Sequence, residues 1–178
     1  MKTWIALLKG VNVGGNNKLP MKELKLALEK HDFQQVQTYI QSGNIVFQHQ
    51  QPDQQKLSNQ ISAIIEAEFG FKPSVIVLSK QELATVINNQ PFTDLSIEQD
   101  AKVLHFFFFN TKPETINQVR LSALLDATER WQLVGNVLYF HTPNGFGKSK
   151  LGSKVDSVFG ATCTARNWTS VCAIYSLT

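Results

Sequence analysis

With 178 residues, an apolar fraction of 43% and a formal charge of +3, the chain has the makeup of a globular protein of one large or two small domains. So small a charge is weak evidence for nucleic acid, whose dedicated binders concentrate Lys and Arg in a stripe. No run reaches the length of a membrane span, and Cys163 and Cys172 are too few to staple a secreted scaffold, so the expected location is a reducing cytoplasm.

The apolar opening Trp4-Ile5-Ala6-Leu7-Leu8 is cut short by Lys9 and lacks a small-residue cleavage pattern, which makes residues 2–9 a strand rather than a signal peptide. A Gly/Asn-rich loop then leads to a helix opened by Pro20, where a missing N–H costs nothing, with Met21, Leu24, Ala27 and Leu28 at helical spacing. Residues 36–41 and 44–48 are short β runs joined through Ser42-Gly43, the pattern of a hairpin. Asp53 is placed to cap a helix with Leu57, Ile61, Ile64, Ile65 and Phe69 on one face and Gly70 past its end. A β-branched strand over residues 74–78 completes the order βαββαβ, the ferredoxin-like arrangement of an antiparallel sheet under two helices.

Ser79 and Glu82 form a capping-box pattern for a short helix carrying Leu83, Val86 and Ile87. Residues 90–101 turn polar and irregular, which sets a first half at 1–89, a linker at 90–101 and a second half at 102–178. In that second half we expect a strand at 102–109 and a helix at 113–126 with Ile116, Leu121, Leu124 and Leu125 facing inward. Residues 131–134 and 137–141 flank the two-residue Gly135-Asn136 turn of another hairpin. A helix at 147–159 with Leu151, Val155, Val158 and Phe159 on one side, a short strand at 162–166, and a final helix capped by Asn167 complete the chain. Gly43-Asn44-Ile45-Val46-Phe47 matches Gly135-Asn136-Val137-Leu138-Tyr139 position by position, and the shared element order adds to the impression of two copies. The expected fold class is α+β, two ferredoxin-like halves with antiparallel sheets and helices packed on them.

Two loops carry the functional candidates. In the first, Lys9, Gly10, Asn12, Gly14 and Gly15 precede a helix, so glycine-freed amides and a helix start could cradle an oxyanion, or the same residues could only reverse the chain. In the second, Thr142-Pro143-Asn144-Gly145-Phe146-Gly147-Lys148-Ser149 ends in the Gly-Lys-Ser of a phosphate-binding P-loop. Thr142 replaces the first glycine, Pro143 removes a donor and no parallel sheet is expected, so a nucleotide-hydrolysing P-loop is set aside. What survives is a loop in which Lys148, Ser149 and Lys150 hold a phosphate or carboxylate without cleaving anything, beside the reading in which Ser149 only caps a helix. Arg166, Asn167 and Trp168 offer a guanidinium fork and a stacking surface, or else a packed anchor with Arg166 tied to neighbouring acceptors.

His31, His49, His105 and His141 are scattered without metal-ligand spacing, so no metal, cofactor or catalytic residue is assigned. His141 is the one histidine we would test as a proton carrier. Alternate rings of Phe106-Phe107-Phe108-Phe109 face opposite sides of a strand, to stack bases or to pack against the other half.

Leu7-Leu8-Lys9-Gly10-Val11-Asn12-Val13-Gly14-Gly15, Met21, Thr38-Tyr39-Ile40-Gln41-Ser42-Gly43-Asn44, Ser149-Lys150-Leu151 and Thr164-Ala165-Arg166-Asn167-Trp168 together resemble the bacterial domain-of-unknown-function family numbered 1697. The resemblance spans nearly the whole chain and implies a cytosolic bacterial protein of two ferredoxin-like halves. It implies no activity. Lys9 stands where many members have arginine, which keeps the charge but loses the fork. The leading expectation is a protein that binds a small anionic ligand in a pocket formed by both loops, Arg166 and Asn167 near the junction of the halves. An enzyme on a small phosphorylated or nucleotide substrate and an assembly module are the alternatives; neither a nucleic acid nor a membrane is an expected partner.

Overall fold

The computed structural model describes all 178 residues, and its first strand, β1 (Lys2–Leu8), lies between two others in a four-stranded antiparallel sheet. The elements that follow are α1 (Met21–Glu29), β2 (Gln34–Tyr39), β3 (Asn44–His49), α2 (Gln54–Phe69) and β4 (Val75–Ser79), with strand order β2-β3-β1-β4. This is the expected βαββαβ unit. Strand alternation turns Trp4, Ala6 and Leu8 of β1, with Ile45, Phe47, Val75 and Val77, toward Leu24, Leu28, Leu57, Ile61 and Ile65 of the two helices. Ser58 and Ser62 of α2 donate their hydroxyls to Val75 O and Pro73 O at 2.6 and 2.8 Å, fixing the helix over β4 without an unpaired polar group.

The start and stop of α2 follow its sequence signals. Asp53 accepts from the Gln55 and Lys56 N–H groups at 2.9 and 3.1 Å, and Gly70 ends the helix in the left-handed region at φ 78°. Asp53→Ala should lower the unfolding free energy by about 1 kcal/mol, read as a shift in urea midpoint at unchanged slope. Along β2 the register shifts between Gln34 and Gln37, so one extra residue bulges from this edge strand, with Gln35 at φ 49°.

Helix α3 (Lys80–Asn88) opens on the predicted reciprocal cap, Ser79 N–H to Glu82 Oε2 at 2.7 Å and Glu82 N–H to Ser79 Oγ at 3.2 Å. The remaining elements are α4 (Ile97–Asp100), β5 (Leu104–Phe109), α5 (Gln118–Leu124), β6 (Arg130–Val134), β7 (Val137–His141), α6 (Val155–Phe159), β8 (Cys163–Asn167) and α7 (Trp168–Ser176). Their sheet has the order β6-β7-β5-β8, again antiparallel throughout. Phe107, Phe109, Leu138 and Phe140 pack beneath Leu121, Leu151, Val155, Val158 and Phe159 in the core of this half.

By its internal contacts the chain divides into residues 1–85 with 173–178 and residues 86–172. The division falls inside α3 rather than in the 90–101 stretch expected as a linker. That stretch is folded: Ser96 caps α4, Asp94 takes a forked pair of bonds from Arg130 at 3.0 Å each, and Ala101 O accepts from Thr169 N–H. Capped turns and linkers share a polar composition, so composition alone does not separate them.

Two predicted helices are shorter than their periodicity suggests. The helix expected at 113–126 begins only at Gln118, because the Asn117 side chain caps it through Arg120 N–H at 3.0 Å while the Asn117 N–H is spent on Val158 O at 2.8 Å. The helix expected at 147–159 is broken into 3₁₀ turns at Phe146–Lys148 and Gly152–Lys154 before α6. Ser149 is extended between the turns, and its Oγ accepts from Gly152 N–H at 3.0 Å.

The two halves repeat in element order, but not in the register of the five matched letters. Leu8 N–H bonds Gly43 O and Phe109 N–H bonds Asn136 O, so Gly43 corresponds to Asn136 rather than to Gly135. Ile45 therefore matches the core residue Leu138, whereas Val137 lies on the opposite sheet face. The turns explain the offset: residues 40–43 form a four-residue loop and Gly135-Asn136 a two-residue one. All four rings of Phe106–Phe109 are no more than 4% exposed, which leaves none to stack on a base.

Candidate functional site

In the first unit, residues 10–17 close on themselves as a small finger. Val13 bridges Asn16 across Gly14 and Gly15, at φ 59° and 78°, and Asn12 N–H reaches Asn17 O at 3.1 Å. Asn12 is the clamp of the finger: its Oδ1 accepts from Leu19 N–H at 2.8 Å, and its Nδ2 donates to Leu19 O at 2.9 Å and Gln41 O at 2.7 Å. Asn17 Nδ2 closes the base on Gly10 O at 3.0 Å. A Cβ at Gly10, Gly14 or Gly15 would meet open space, so backbone sign rather than crowding calls for glycine here. Lys9 continues from β1 and gives its N–H to Ser74 O at 2.9 Å.

The second unit holds a cleft. Thr142 is buried, with its N–H and Oγ–H both on Val103 O, at 2.9 and 3.1 Å, and this pins the start of the loop to the end of the sheet. Gly145 turns the chain at φ 98°, and Phe146 stacks on His105 with ring centroids 4.1 Å apart. Asn144 Nδ2 donates to Thr128 Oγ1 at 3.0 Å and so joins the loop to the turn at residues 126–129. In that turn Asp126 Oδ1 accepts from Thr128 N–H at 2.9 Å and Thr128 Oγ–H at 2.6 Å, and Glu129 Oε2 accepts from Asp126 N–H at 3.0 Å. Between loop and turn lies a cavity of about 320 Å³ lined by Asp126, Thr128, Glu129, Thr142, Asn144, Gly145, Lys148 and Ser149.

The Thr128 hydroxyl and N–H, aided by the charge of Lys150, hold the Asp126 carboxyl below its usual range. It is therefore a fixed anion at neutral pH, not a proton donor. Of the residues predicted for a site, the cavity takes in Lys148 and Ser149, with Lys150 acting on Asp126. The first-loop residues Lys9, Gly10, Asn12, Gly14 and Gly15 belong to the other unit. Arg166, buried in β8, donates from Nη1 to Thr164 Oγ1 at 2.8 Å and Ala165 O at 2.7 Å; burial pulls its pKa down to about 10, still charged at neutral pH. Asn167 accepts from Ser170 N–H at 2.9 Å, the cap its position predicted. Sequence reasoning missed Asp126, Thr128, Glu129 and Asn144 as lining residues. The signal present was the Asp-x-Thr-Glu spacing, in which the Asp126 carboxylate takes the backbone N–H two residues on and the Glu129 carboxylate the backbone N–H three residues back.

His141 ends β7 beside the cleft without lining it. Its Nδ1 is 3.5 Å from Arg130 Nη2 and its Nε2 3.5 Å from Asp100 Oδ1, and Arg130 in turn lies over the Phe92 ring. Burial, then the Arg130 charge, lowers its pKa against the pull of Asp100 and Asp94, so it is neutral at neutral pH. His105 is lowered from 6.5 to about 4 by burial. Unfolding frees both rings to bind protons at their ordinary pKa, so stability should hold above pH 6.5 and fall from there toward pH 4, by up to about 3 kcal/mol from His105 alone. Melting temperatures measured between pH 8 and 4.5 should show that decline, and His105→Leu should flatten it while His141 keeps the remainder.

No group of three or more His, Cys, Asp or Glu side chains is placed to hold a metal ion, and no helix is long and apolar enough to cross a membrane. Among solved structures the chain is similar to the conserved bacterial protein SP0830 from Streptococcus pneumoniae, at 22% identity and a TM-score of 0.75, covering 99% of this chain and 98% of that one. At such identity the likeness is one of fold. No match is found among curated proteins. A family profile described as a protein of unknown function, DUF1697, matches residues 1–139, from β1 through the middle of β7, and the chain belongs to that family.

Proposed function

We propose that the second unit binds a small ligand through an anionic group, in the cleft between the 126–129 turn and the 142–149 loop. The observation that carries this reading is the convergence of Lys148, Ser149 and Asn144 on one polar cavity of about 320 Å³. That volume is at the small end of ligand sites, which suits a metabolite of few atoms. Lys148 supplies a charge on the cavity wall, and Ser149, whose Oγ already accepts from Gly152, keeps its hydroxyl hydrogen to donate. The reading does not lean on Asn12 or Asn167, whose side chains are committed to backbone partners. Cys163 and Cys172 are not joined in a disulfide, which fits a reducing cytoplasm.

Titration with inorganic phosphate and with adenosine monophosphate, followed by amide chemical shifts, should move the Thr128, Gly145 and Lys148 resonances saturably. A Lys148→Ala, Lys150→Ala double variant should weaken the response about tenfold or more, since a hydrogen bond to a charged group contributes about 1.5 kcal/mol or more. No saturable shift, or one indifferent to both lysines, would overturn the reading.

A further inference from the structure

The walls of the cleft carry both signs of charge, and those charges do not neutralise one another. Asp126 and Glu129 stand on the turn and Lys148 on the loop, yet none of the three forms an ion pair with another side chain. Each carboxylate has one oxygen anchored: Asp126 Oδ1 by Thr128, and Glu129 Oε2 by the Asp126 N–H. The second oxygens, Asp126 Oδ2 and Glu129 Oε1, carry no protein hydrogen bond. The anchors fix both carboxylates on one wall with acceptors to spare. A plain dianion seated against Lys148 would face two carboxylates across a small cavity, and like charges so placed select against it.

Resting on the reading above, we infer that the ligand is a small zwitterion, its oxyanion toward Lys148 and Ser149 and its ammonium toward Asp126 and Glu129. An ammonium has three donors and no acceptor, which matches a wall of two free carboxylate oxygens. Selectivity then comes from the acidic wall and the common attraction for oxyanions from the lysine.

The test is a calorimetric or amide-shift titration of the full chain with O-phosphoethanolamine against inorganic phosphate, and with β-alanine against acetate. The two pairs distinguish phosphate from carboxylate as the oxyanion, and a preference of tenfold or more for the amine-bearing member of either pair supports the proposal. Glu129→Gln and Asp126→Asn should erase that preference while leaving the simple anion bound as tightly or more so. Both residues also close their turn, so Lys148→Ala, which removes no bond of the turn, is the companion variant. It should weaken the zwitterion and the simple anion alike. Equal affinities within both pairs, with phosphate still lost in Lys148→Ala, would overturn the zwitterion and leave the anion site standing. No response to any of the four probes would overturn both.

Discussion

Gly43→Ala should destabilise the first unit by about 3 kcal/mol or more, from two additive causes. Gly43 sits at φ 75°, where an L side chain costs about 1–2 kcal/mol. A Cβ there would also stand 2.7 Å from both Leu8 Cβ and Val11 Cγ2, two buried groups with no room to retreat, and such overpacking adds about 1–3 kcal/mol. Gly14→Ala is the matched control. Its φ is 59°, but nothing lies within 4 Å of the new methyl, so only the backbone cost of about 1–2 kcal/mol should appear. Urea midpoints of the two variants measure the difference. Equal losses would mean that the contact with Leu8 and Val11 is relieved by movement of the hairpin turn.

The second large effect is expected in the other half, where Phe159→Ala should lose about 3–5 kcal/mol. The ring is fully buried, 5.8 Å from Phe109 and edge-on to Trp131 at 5.6 Å. Helix α6 has five residues and no stability of its own, so the packing of this ring and of Val155 and Val158 holds it in place. Phe159→Leu keeps most of the volume and should cost less than half as much. Calorimetric melting of the three proteins under one buffer condition decides it. An alanine variant melting with the leucine one would show that the cavity collapses.

Residues whose signal is local were legible before any coordinates. Asp53, Gly70, the Ser79 and Glu82 pair, the Gly135-Asn136 turn and Asn167 all act on partners within four positions, and each sits where its chemistry placed it. The broken helix at 147–159 was not legible, because Leu151, Val155, Val158 and Phe159 face the core whether or not the turns between them are α-helical. Its breaks depend on the Ser149 hydroxyl choosing Gly152 N–H, a competition between backbone and side chain that periodicity does not record. Half of the candidate site shows the same limit. Lys148 and Ser149 were visible in the Gly-Lys-Ser run, while Asp126, Thr128 and Glu129 reach the cleft through the bond from Asn144 to Thr128, which spans 16 positions. The first loop meets the same limit, since Asn12 is committed to Gln41, 29 residues away.

The bulge in β2 bears on how this protein behaves when crowded. An outside chain trying to extend the sheet there would meet a strand whose unpaired amides and carbonyls fall out of step at Gln35, where the backbone swings to φ 49°. A flat, evenly spaced border would offer a template for fibril growth; this one ends the hydrogen-bond ladder on that side at four strands.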